Sequence, residues 1–431
     1  MYLIMEALLG KIRKFNIWDG DLLEVGFIRK SYINNIFQYF GNKLVKVVVG
    51  QRRVGKSYLL RQIMMQLIKN YSVNPKNIFY LNKEYLVFDQ IRTYKDLELL
   101  YSYYIEKISV KGKKYIFIDE IQNISGWERF INSYSQDFKD EFEICITGSN
   151  SDLLSGELAS LLSGRFIEFE VFAFDYFEYS EFKKLKINKN NFIKYLKDSG
   201  LPELLHFESE EMKRNYLDSL KNTIVLRDII KRHKVKDAAL LNDLFNYLLS
   251  NIGNLSSISA IIRYYKSQQK RTNYETLSSY ISYLITTFVF HTAERYNIRG
   301  KTLLSGEKKY YLNDLGFKNY LLGFYPEDIG YNLENFVFLQ LKILGYKVNV
   351  GVMNKNEIDF VAQKGSDLVY VQVAYLLNSE KVIEREFGNL LKIKDNLMKV
   401  VVSLDEARFD TKQGIIHIRP WEMKELLVSK F

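Results

Sequence analysis

Residues 45–63 read VKVVVGQRRVGKSYLLRQI, and this stretch decides the fold of the N-terminal part of the chain. Its centre, Gly50-Gln51-Arg52-Arg53-Val54-Gly55-Lys56-Ser57, fits the pattern G-x-x-x-x-G-K-[ST]. The apolar run before it predicts a strand, and the residues after it predict a helix that begins at the loop. Glycines let backbone N–H groups turn towards a phosphate, and the positive end of the helix points to the same place. The stretch therefore predicts a nucleotide-binding loop.

Two residues of this loop have expected chemical roles. We expect Lys56 to neutralise charge on the β- and γ-phosphates of ATP or ADP, and the Ser57 hydroxyl to ligate Mg²⁺. The remaining contacts to the nucleotide are expected from the rest of the loop and the next helical residue: Gly50, Gln51, Arg52, Arg53, Val54, Gly55 and Tyr58.

Polar residues end two further predicted strands. Tyr115-Ile116-Phe117-Ile118-Asp119-Glu120 ends in two carboxylates, and ligands of open α/β sheets bind at the carboxyl ends of strands. We expect Asp119 to hold Mg²⁺ and Glu120 to polarise a water molecule aimed at the γ-phosphate. A further predicted strand ends in Ile146-Thr147-Gly148-Ser149-Asn150, and at its tip Ser149 or Asn150 would contact that water or the γ-phosphate. A simple turn is the alternative interpretation.

Arg165 precedes another predicted strand, in Leu162-Ser163-Gly164-Arg165-Phe166. Supplied to the nucleotide of a neighbouring subunit, it would act as an arginine finger, which requires a homo-oligomer. A surface arginine without a role is the alternative.

The apolar runs of the first 174 residues predict a parallel α/β sheet. They cover residues 44–50, 77–82, 114–120, 143–149 and 166–172, and helix-length segments separate them. The whole chain has 431 residues, of which 47% are hydrophobic and 26% are charged. These values indicate a globular protein of two or three domains and exclude collagen-like or largely disordered chains.

The cysteine content and the hydropathy of the chain indicate the cellular compartment of the protein. Cys145 is the single cysteine and there are four histidines, which excludes an internal disulfide and does not favour a structural zinc site. The N-terminus lacks a signal-peptide pattern. The longest uncharged stretches, residues 245–262 and 276–293, carry polar side chains that do not suit a membrane span. We therefore expect a cytoplasmic protein with no membrane partner.

Positive charge is concentrated in residues 231–310, which contain 13 Lys and Arg against 5 Asp and Glu. A field of this kind favours an anionic partner, most often nucleic acid, whereas a lysine-rich solvated surface is the alternative. Thr272 and Glu275 fit a capping box that starts a helix. The apolar face of this helix is expected at Leu277, Ile281, Leu284 and Phe288, opposite Tyr274, Ser278, Ser279 and Ser282.

A predicted hairpin, residues 288–291 against residues 309–312, follows that helix. Cations near it are Arg295, Arg299, Lys301, Lys308 and Lys309. Helix and hairpin together favour a winged helix-turn-helix, and duplex DNA is the expected partner through phosphate contacts from the hairpin. Winged helices also bind proteins, so a protein partner is the alternative.

The last hundred residues resemble restriction-endonuclease-like domains. Glu334 lies on a predicted helix, and Asp359 and Gln372 lie on two successive predicted strands. In such domains carboxylates hold Mg²⁺, and a lysine stabilises the attacking hydroxide or the charge of the transition state. Ala374 stands where the lysine is expected. Either Lys381 supplies the cation, or the domain keeps the fold without the cleavage chemistry, which is the interpretation we favour.

Four segments, in order, resemble the archaeal and bacterial AAA+-type ATPases that carry an accessory C-terminal domain of unknown function. They are GQRRVGKS (50–57), IFIDEIQNISGWE (116–128), ITGSNS (146–151) and LLSGRF (161–166). Residues 198–203 and 224–229 resemble the Gly-x-Pro-Glu and Arg-Asp-Ile segments of that family's helical lid. The resemblance implies ATP binding and hydrolysis, and it adds support for a winged helix.

The predicted architecture is α/β and has four parts. They are a P-loop AAA+-type ATPase core (1–174), a helical lid (175–236), a winged helix-turn-helix (237–325) and a catalytically degenerate restriction-endonuclease-like domain (326–431). The predicted function is a Mg²⁺-dependent ATPase that couples its nucleotide state to DNA binding. The alternatives are a slow nucleotide-dependent signalling or scaffold switch with protein partners, an ATP-gated Mg²⁺ nuclease, and a P-loop kinase of small molecules. In a kinase, Glu120 and the basic segment have no role.

Overall fold

A computed structural model of the protein describes residues 2–20, 24–137, 141–154, 162, 164–354, 356–407, 409 and 414–428. The chain divides into two units, Met1–Val171 and Phe172–Phe431. No helix within the described residues is both long and apolar enough to cross a lipid bilayer.

The first unit is built on a five-stranded sheet. Its strands are β1 (Val45–Val49), β2 (Ile78–Asn82), β3 (Lys114–Asp119), β4 (Phe142–Gly148) and β5 (Phe166–Glu170). They lie in the order β2-β3-β4-β1-β5, and neighbouring strands pair in parallel. The predicted parallel sheet is confirmed. Every residue of β1 and β2 is buried, as expected for strands that are covered on both faces.

The described residues of this unit also form the helices α1 (Tyr2–Arg13), α2 (Lys30–Phe37), α3 (Lys56–Tyr71), α4 (Tyr94–Lys107) and α5 (Trp127–Ser135). α3 begins directly after the loop that follows β1. Because all five strands run the same way, the carboxyl ends of β1, β3 and β4 lie at one edge of the sheet, with β4 in the middle.

The second unit begins with helices. They are α6 (Tyr176–Lys183), α7 (Lys189–Asp198) and α8 (Glu210–Thr223), then a π-helical stretch (Ile224–Ile230) and one α-helical turn (Lys231–His233). The side chain of Arg227, in the Arg-Asp-Ile segment, lies outside the described residues. Three helices follow: α9 (Ala238–Ser250), α10 (Ile258–Ser267) and α11 (Tyr274–Thr286).

The predicted capping box of α11 is wrong by one residue. Asn273, not Thr272, is the N-cap, and its side chain accepts a hydrogen bond from the backbone N–H of Thr276 at 2.8 Å. Asparagine is among the preferred N-cap residues, and it competes here with the threonine beside it. The predicted apolar face is confirmed at Leu277, Ile281 and Leu284, which are buried. Phe288 is buried too, but it lies beyond the end of α11 with a left-handed φ of +59°, so its predicted place on the helix is wrong.

The segment around Gly200 is held by a carboxylate from far along the chain. A Cβ at Gly200 would lie 2.1 Å from the backbone oxygen of Phe174, so only glycine fits. The backbone N–H of Gly200 donates to Asp314 at 2.9 Å, and the Ser199 hydroxyl donates to the same buried carboxylate. This contact joins the helical segment to the residues that follow the hairpin.

An eight-stranded sheet forms the rest of the second unit. Its strands are β6 (Leu255–Ser256), β7 (Phe290–Asn297), β8 (Thr302–Leu312), β9 (Lys347–Met353), β10 (Asn356–Lys364), β11 (Asp367–Ala374), β12 (Met398–Ser403) and β13 (Ile415–Ile418). Their order is β13-β12-β11-β10-β9-β7-β8-β6. Within the described residues, the helices that accompany this sheet are α12 (Gly316–Leu321), α13 (Ile329–Ile343), α14 (Glu380–Leu391) and α15 (Met423–Val428).

The hairpin continues directly into the C-terminal strands. β7 and β8 are antiparallel, with His291 opposite Tyr311, which confirms the predicted hairpin. β7 also pairs with β9 in parallel, with Arg295 opposite Val350. The boundary predicted between residues 325 and 326 therefore falls between parts of one continuous sheet.

Candidate functional site

The loop between β1 and α3 needs glycine at two positions. Gly50 has a φ of +143°, and a Cβ there would lie 2.3 Å from the backbone oxygen of Val171. Gly55, with a φ of +98°, is the N-cap of α3 and supplies no side-chain acceptor to the first turn. The N–H groups of that turn are therefore suited to a phosphate, which adds to the attraction of the helix dipole.

Lys56 is the first residue of α3, directly after this loop. Its Nζ donates to the backbone oxygens of Gly50 at 2.9 Å and Gln51 at 3.0 Å, and it lies 3.8 Å from Oε1 of Glu120. Burial lowers the pKa of Lys56, and the charges of Glu120 and Asp119 act against this shift. The ammonium is thus held at the N-terminus of α3, where it can meet phosphate oxygens.

Asp119, at the end of β3, is fully buried and its carboxylate is held on several sides. It accepts hydrogen bonds from Asn82 Nδ2 at 2.8 Å and from the hydroxyl of Thr147, and the Ser57 hydroxyl lies close enough to lower the pKa of this carboxyl. Burial raises the pKa of Asp119, and the nearby charge of Glu120 raises it further. Ser57 and Asp119, the two predicted Mg²⁺ ligands, therefore lie together.

The donor set around Asp119 fits Mg²⁺. Within the described ranges, no group of three or more His, Cys, Asp or Glu residues is placed to hold a metal ion. One carboxylate and one hydroxyl match the way Mg²⁺ binds beside a nucleotide, because this ion prefers oxygen ligands and keeps waters and substrate phosphates as the others.

Glu120 is fixed beside Lys56. Its φ of +55° is left-handed, its Oε2 accepts from Ser149 Oγ at 2.9 Å and from Gln122 Nε2 at 2.5 Å, and it is 6% exposed. Burial acts to raise the pKa of Glu120, but the charges of Lys56 and Arg52 outweigh it and lower the pKa. An ionised carboxylate held in this way can accept a hydrogen bond from a water molecule.

The residues predicted at the end of β4 differ in their contacts. Ser149 bonds Glu120, whereas Asn150 is buried beside it and its backbone oxygen accepts from Leu153 N–H at 3.3 Å. Sequence reasoning gave no role to Thr147, whose hydroxyl contacts Asp119 and also accepts from the Glu120 N–H at 3.0 Å. It also missed Asn82, although that residue ends β2 at the same edge of the sheet.

The remaining loop residues surround the site in several ways. Arg52 is ion-paired with Glu84, 2.9 Å away, and Arg53 has a left-handed φ of +71°. Gln51 and Val54 are buried. Tyr58 is 39% exposed, and the guanidinium of Arg61 lies 4.7 Å from its ring centroid.

Arg165 lies at the opposite edge of the sheet. It directly precedes β5, whose first residue, Phe166, is opposite Val45 at the start of β1. The five residues of β1 lie between this edge and the P-loop. At the rise of a strand they span about 16 Å. Arg165 is exposed, and its guanidinium donates to Asn132 Oδ1 at 3.4 Å. Its neighbour Ser163 lies outside the described residues.

A second cluster of charged groups lies in the other unit. Nζ of Lys309, on β8, is 3.0 Å from Glu334, 2.8 Å from Glu357 and 4.0 Å from Asp359. The Tyr311 hydroxyl donates to Glu334 at 2.7 Å. Burial acts to lower the pKa of Lys309, but the carboxylates outweigh it and raise the pKa. Burial also raises the pKa of Asp359, as does the charge of Glu334.

The expectation that this cluster has no cation is wrong. Lys309 supplies this cation. It lies on β8, outside the C-terminal segment 326–431 in which the sequence predicts the cluster, whereas Lys381 is exposed at the start of α14. The cluster does bring together Glu334 and Asp359 as predicted. Gln372 lies beside them and accepts from the Asp359 backbone N–H at 3.4 Å through its side-chain oxygen.

The hairpin differs from the expected DNA-contacting surface. Lys309 is 5% exposed and ion-paired, so the predicted DNA contact from this residue is wrong. Lys308 is ion-paired with Glu294 at 2.8 Å, and Arg295 with Glu307 at 2.9 Å.

Comparisons with known proteins place these sites in context. The family model of an AAA domain matches residues 42–180, and that of a domain of unknown function, DUF8612, matches residues 189–328. An uncharacterized protein of Haemophilus influenzae is 34% identical over 380 residues, which are 87% of this chain and 92% of the relative. An uncharacterized protein of Methanocaldococcus jannaschii is 29% identical over 402 residues, 88% of this chain and 87% of the relative. Among solved structures, the Walker-type ATPase of Pyrococcus abyssi is 17% identical and covers 69% of this chain and 96% of its own, with a TM-score of 0.42.

Proposed function

We propose that this chain, which belongs to the same family as its Haemophilus influenzae relative and matches the model of an AAA domain over residues 42–180, binds ATP and hydrolyses it with Mg²⁺. One observation carries this proposal: Lys56, Ser57, Asp119 and Glu120 meet at one edge of the sheet. A kinase needs the first three groups but not a carboxylate beside the phosphate-binding lysine.

The mechanism assigns one task to each group. The P-loop and Lys56 bind the triphosphate and offset the charge that develops on the γ-phosphate, while Ser57 and Asp119 hold the metal. When bound, Mg²⁺ withdraws charge from the phosphate oxygens. Glu120, kept ionised by Lys56 and Arg52, orients the attacking water, and Ser149 and Gln122 hold its carboxylate in place.

Two further residues belong to the proposal in supporting roles. Asn150, buried beside Ser149, would sense the γ-phosphate. The length of β1, about 16 Å, separates Arg165 from the P-loop of its own chain. Arg165 can therefore serve only the nucleotide of another subunit, in a homo-oligomer. A monomeric enzyme that hydrolyses ATP at full rate would remove Arg165 from the mechanism.

We further propose that residues 237–325 form a winged helix-turn-helix that binds duplex DNA and responds to the nucleotide state through a helical lid, residues 175–236. The order α9, α10, α11 and then the β7–β8 hairpin supports this assignment. α11 buries Leu277 and Leu284 and exposes Tyr274 and Ser282, as a helix that lies against a groove requires.

For residues 326–431 we propose a restriction-endonuclease-like frame without cleavage chemistry. The Lys309 ammonium lies among Glu334, Glu357 and Asp359, where it offsets the charge that a metal ion would otherwise neutralise. Cleavage of DNA with Mg²⁺ or Mn²⁺, lost in Asp359→Ala, would instead support an ATP-gated nuclease.

Two variants test the ATPase proposal. Glu120→Gln keeps the size of the side chain and removes its charge, so we expect ATP affinity within a few-fold of the parent and at least a hundredfold lower turnover. Lys56→Ala removes the cation of the P-loop and is expected to lose nucleotide binding. Binding is measured with a fluorescent ATP analogue and turnover by phosphate release, with Glu98→Gln on α4 as a control that leaves both unchanged.

Each alternative has its own outcome in this experiment. Turnover by Glu120→Gln at the parent rate would show that another group activates the water. Negligible turnover by the parent, with tight retention of ADP, would indicate a nucleotide-dependent switch with protein partners.

A further inference from the structure

Ion pairs divide the cations of residues 231–310 into two groups. The paired cations are Lys270, Arg295, Lys308 and Lys309. The other cations have no carboxylate within ion-pairing distance among the described residues: Lys231, Arg232, Lys234, Lys236, Arg263, Lys266, Arg271, Arg299 and Lys301. The arms of the hairpin are therefore largely neutralised, and much of the unpaired charge precedes α9 and α11.

A groove of about 490 Å³ lies where α9 and α11 begin. Three of the unpaired cations line it, namely Lys234, Lys236 and Arg271, and all three are exposed. The acidic residues in its wall are Asp237 and Glu275. The Asp237 side chain already caps α9, since it accepts from the Leu240 N–H at 2.9 Å.

Further groups make the groove suitable for an anion. The N-terminal ends of two helices line it, and each carries partial positive charge. The Thr272 hydroxyl, also in the wall, is shielded from solvent and has no hydrogen-bond partner among the described residues. The wall is preformed, because the His233 ring stacks on Tyr283 at 3.8 Å and the Asp237 N–H donates to the Tyr280 hydroxyl at 3.3 Å.

We propose that this groove, with Lys234, Lys236 and Arg271, binds phosphate groups of the backbone of duplex DNA. The inference rests on the proposed DNA binding of residues 237–325, adds Lys234 and Lys236 from the end of the proposed lid to that surface, and moves the main phosphate contact from the hairpin to the start of α9 and α11. Three exposed cations in one groove, with Lys231 and Arg232 also exposed just before it in the sequence, suit a polymer with phosphates in series rather than one small anion.

The test uses the full-length protein and a fluorescently labelled blunt DNA duplex. Binding is followed by anisotropy over a range of salt concentrations. The variant Lys234→Gln/Lys236→Gln/Arg271→Gln is compared with Lys184→Gln/Lys186→Gln/Lys194→Gln, which removes the same charge from exposed positions near α6 and α7. Circular dichroism confirms that both variants are folded, and basal ATP hydrolysis is expected to be unchanged in both.

We expect the groove variant to bind at least tenfold more weakly than the control variant near 0.1 M salt, with a salt slope about 2 to 3 units shallower. Equal affinity and slope in the two variants would overturn this inference and leave DNA binding itself intact. If the parent protein does not bind the duplex even at low salt, both this inference and the DNA-binding proposal fail, while the ATPase proposal stands.

Discussion

A single hydroxyl links the two acidic residues of the nucleotide site. Thr147 Oγ1 donates to the Asp119 carboxylate and accepts from the backbone N–H of Glu120 at 3.0 Å. It can do so because β4 pairs directly with β3, at whose end both acidic residues lie. The left-handed backbone at Glu120, with a φ of +55°, is fixed by this contact. Thr147 is therefore a positioning residue for both carboxylates.

Thr147→Val tests this role, because valine has the same shape and no hydroxyl. We expect about 10- to 100-fold slower ATP hydrolysis and a higher Mg²⁺ requirement, as for other groups that orient a metal ligand. Affinity for ATP measured without metal is expected to change little, since Lys56 and the loop are untouched. Thr147→Ser should recover most of the activity. If valine leaves both the rate and the Mg²⁺ dependence as they are, Thr147 only packs between the strands.

At the scale of elements, β8 connects two parts of the second unit. Its last residues pair with β7, and Lys309 on the same strand reaches Glu334 on α13 and Glu357 on β10. Removing one partner of a buried ion pair lowers the free energy of unfolding by far more than the intact pair adds to it, because the remaining charge stays buried without a partner. Lys309 is thus expected to be a major determinant of stability.

We predict that Lys309→Met lowers the free energy of unfolding by about 3 to 5 kcal/mol at pH 8. Burial and the charge of Glu334 raise the pKa of Asp359, and the Lys309 ammonium acts against this shift. Without the ammonium, Asp359 keeps its proton to a higher pH in the folded state than in the unfolded chain, so the loss of stability shrinks as the pH falls towards 5. Urea denaturation at several pH values measures this.

The control is the neighbouring Lys308→Met, which breaks an exposed pair with Glu294 and should change stability by at most about 1 kcal/mol. Equal stability of the two variants would contradict the role of Lys309.

What the sequence predicts correctly is local in origin. The five strands of the first sheet, the helix after the P-loop and the β7–β8 hairpin each follow from periodicity and turn residues over fewer than about twenty positions. Lys309 was misassigned because its partners lie 25 to 50 positions away and on other elements. Thr147 was missed for a related reason: its role depends on strand order, which no local pattern encodes.

At the scale of the whole molecule, the formal net charge of +10 is unevenly placed. Residues 231–310 carry most of the excess, and its unpaired part lies in the second unit, whereas the nucleotide site lies in the first. Because the two proposed activities lie in different units, they form one function only if DNA binding changes the rate of ATP hydrolysis or hydrolysis changes the affinity for DNA. The rate of hydrolysis in the presence of DNA measures this coupling directly.

We predict that duplex DNA stimulates ATP hydrolysis by the full-length protein at about 50 mM salt, and that the stimulation is largely lost at about 200 mM, because phosphate contacts weaken steeply with salt. Glu120→Gln should abolish both the basal and the stimulated rate, which excludes a contaminating ATPase. The Lys234/Lys236/Arg271 triple glutamine variant should keep the basal rate and lose the stimulation.

Stimulation that persists at high salt would exclude a phosphate-driven contact. DNA that binds without changing the rate would instead show that the two activities are independent, and would favour a role in which DNA only localises the ATPase.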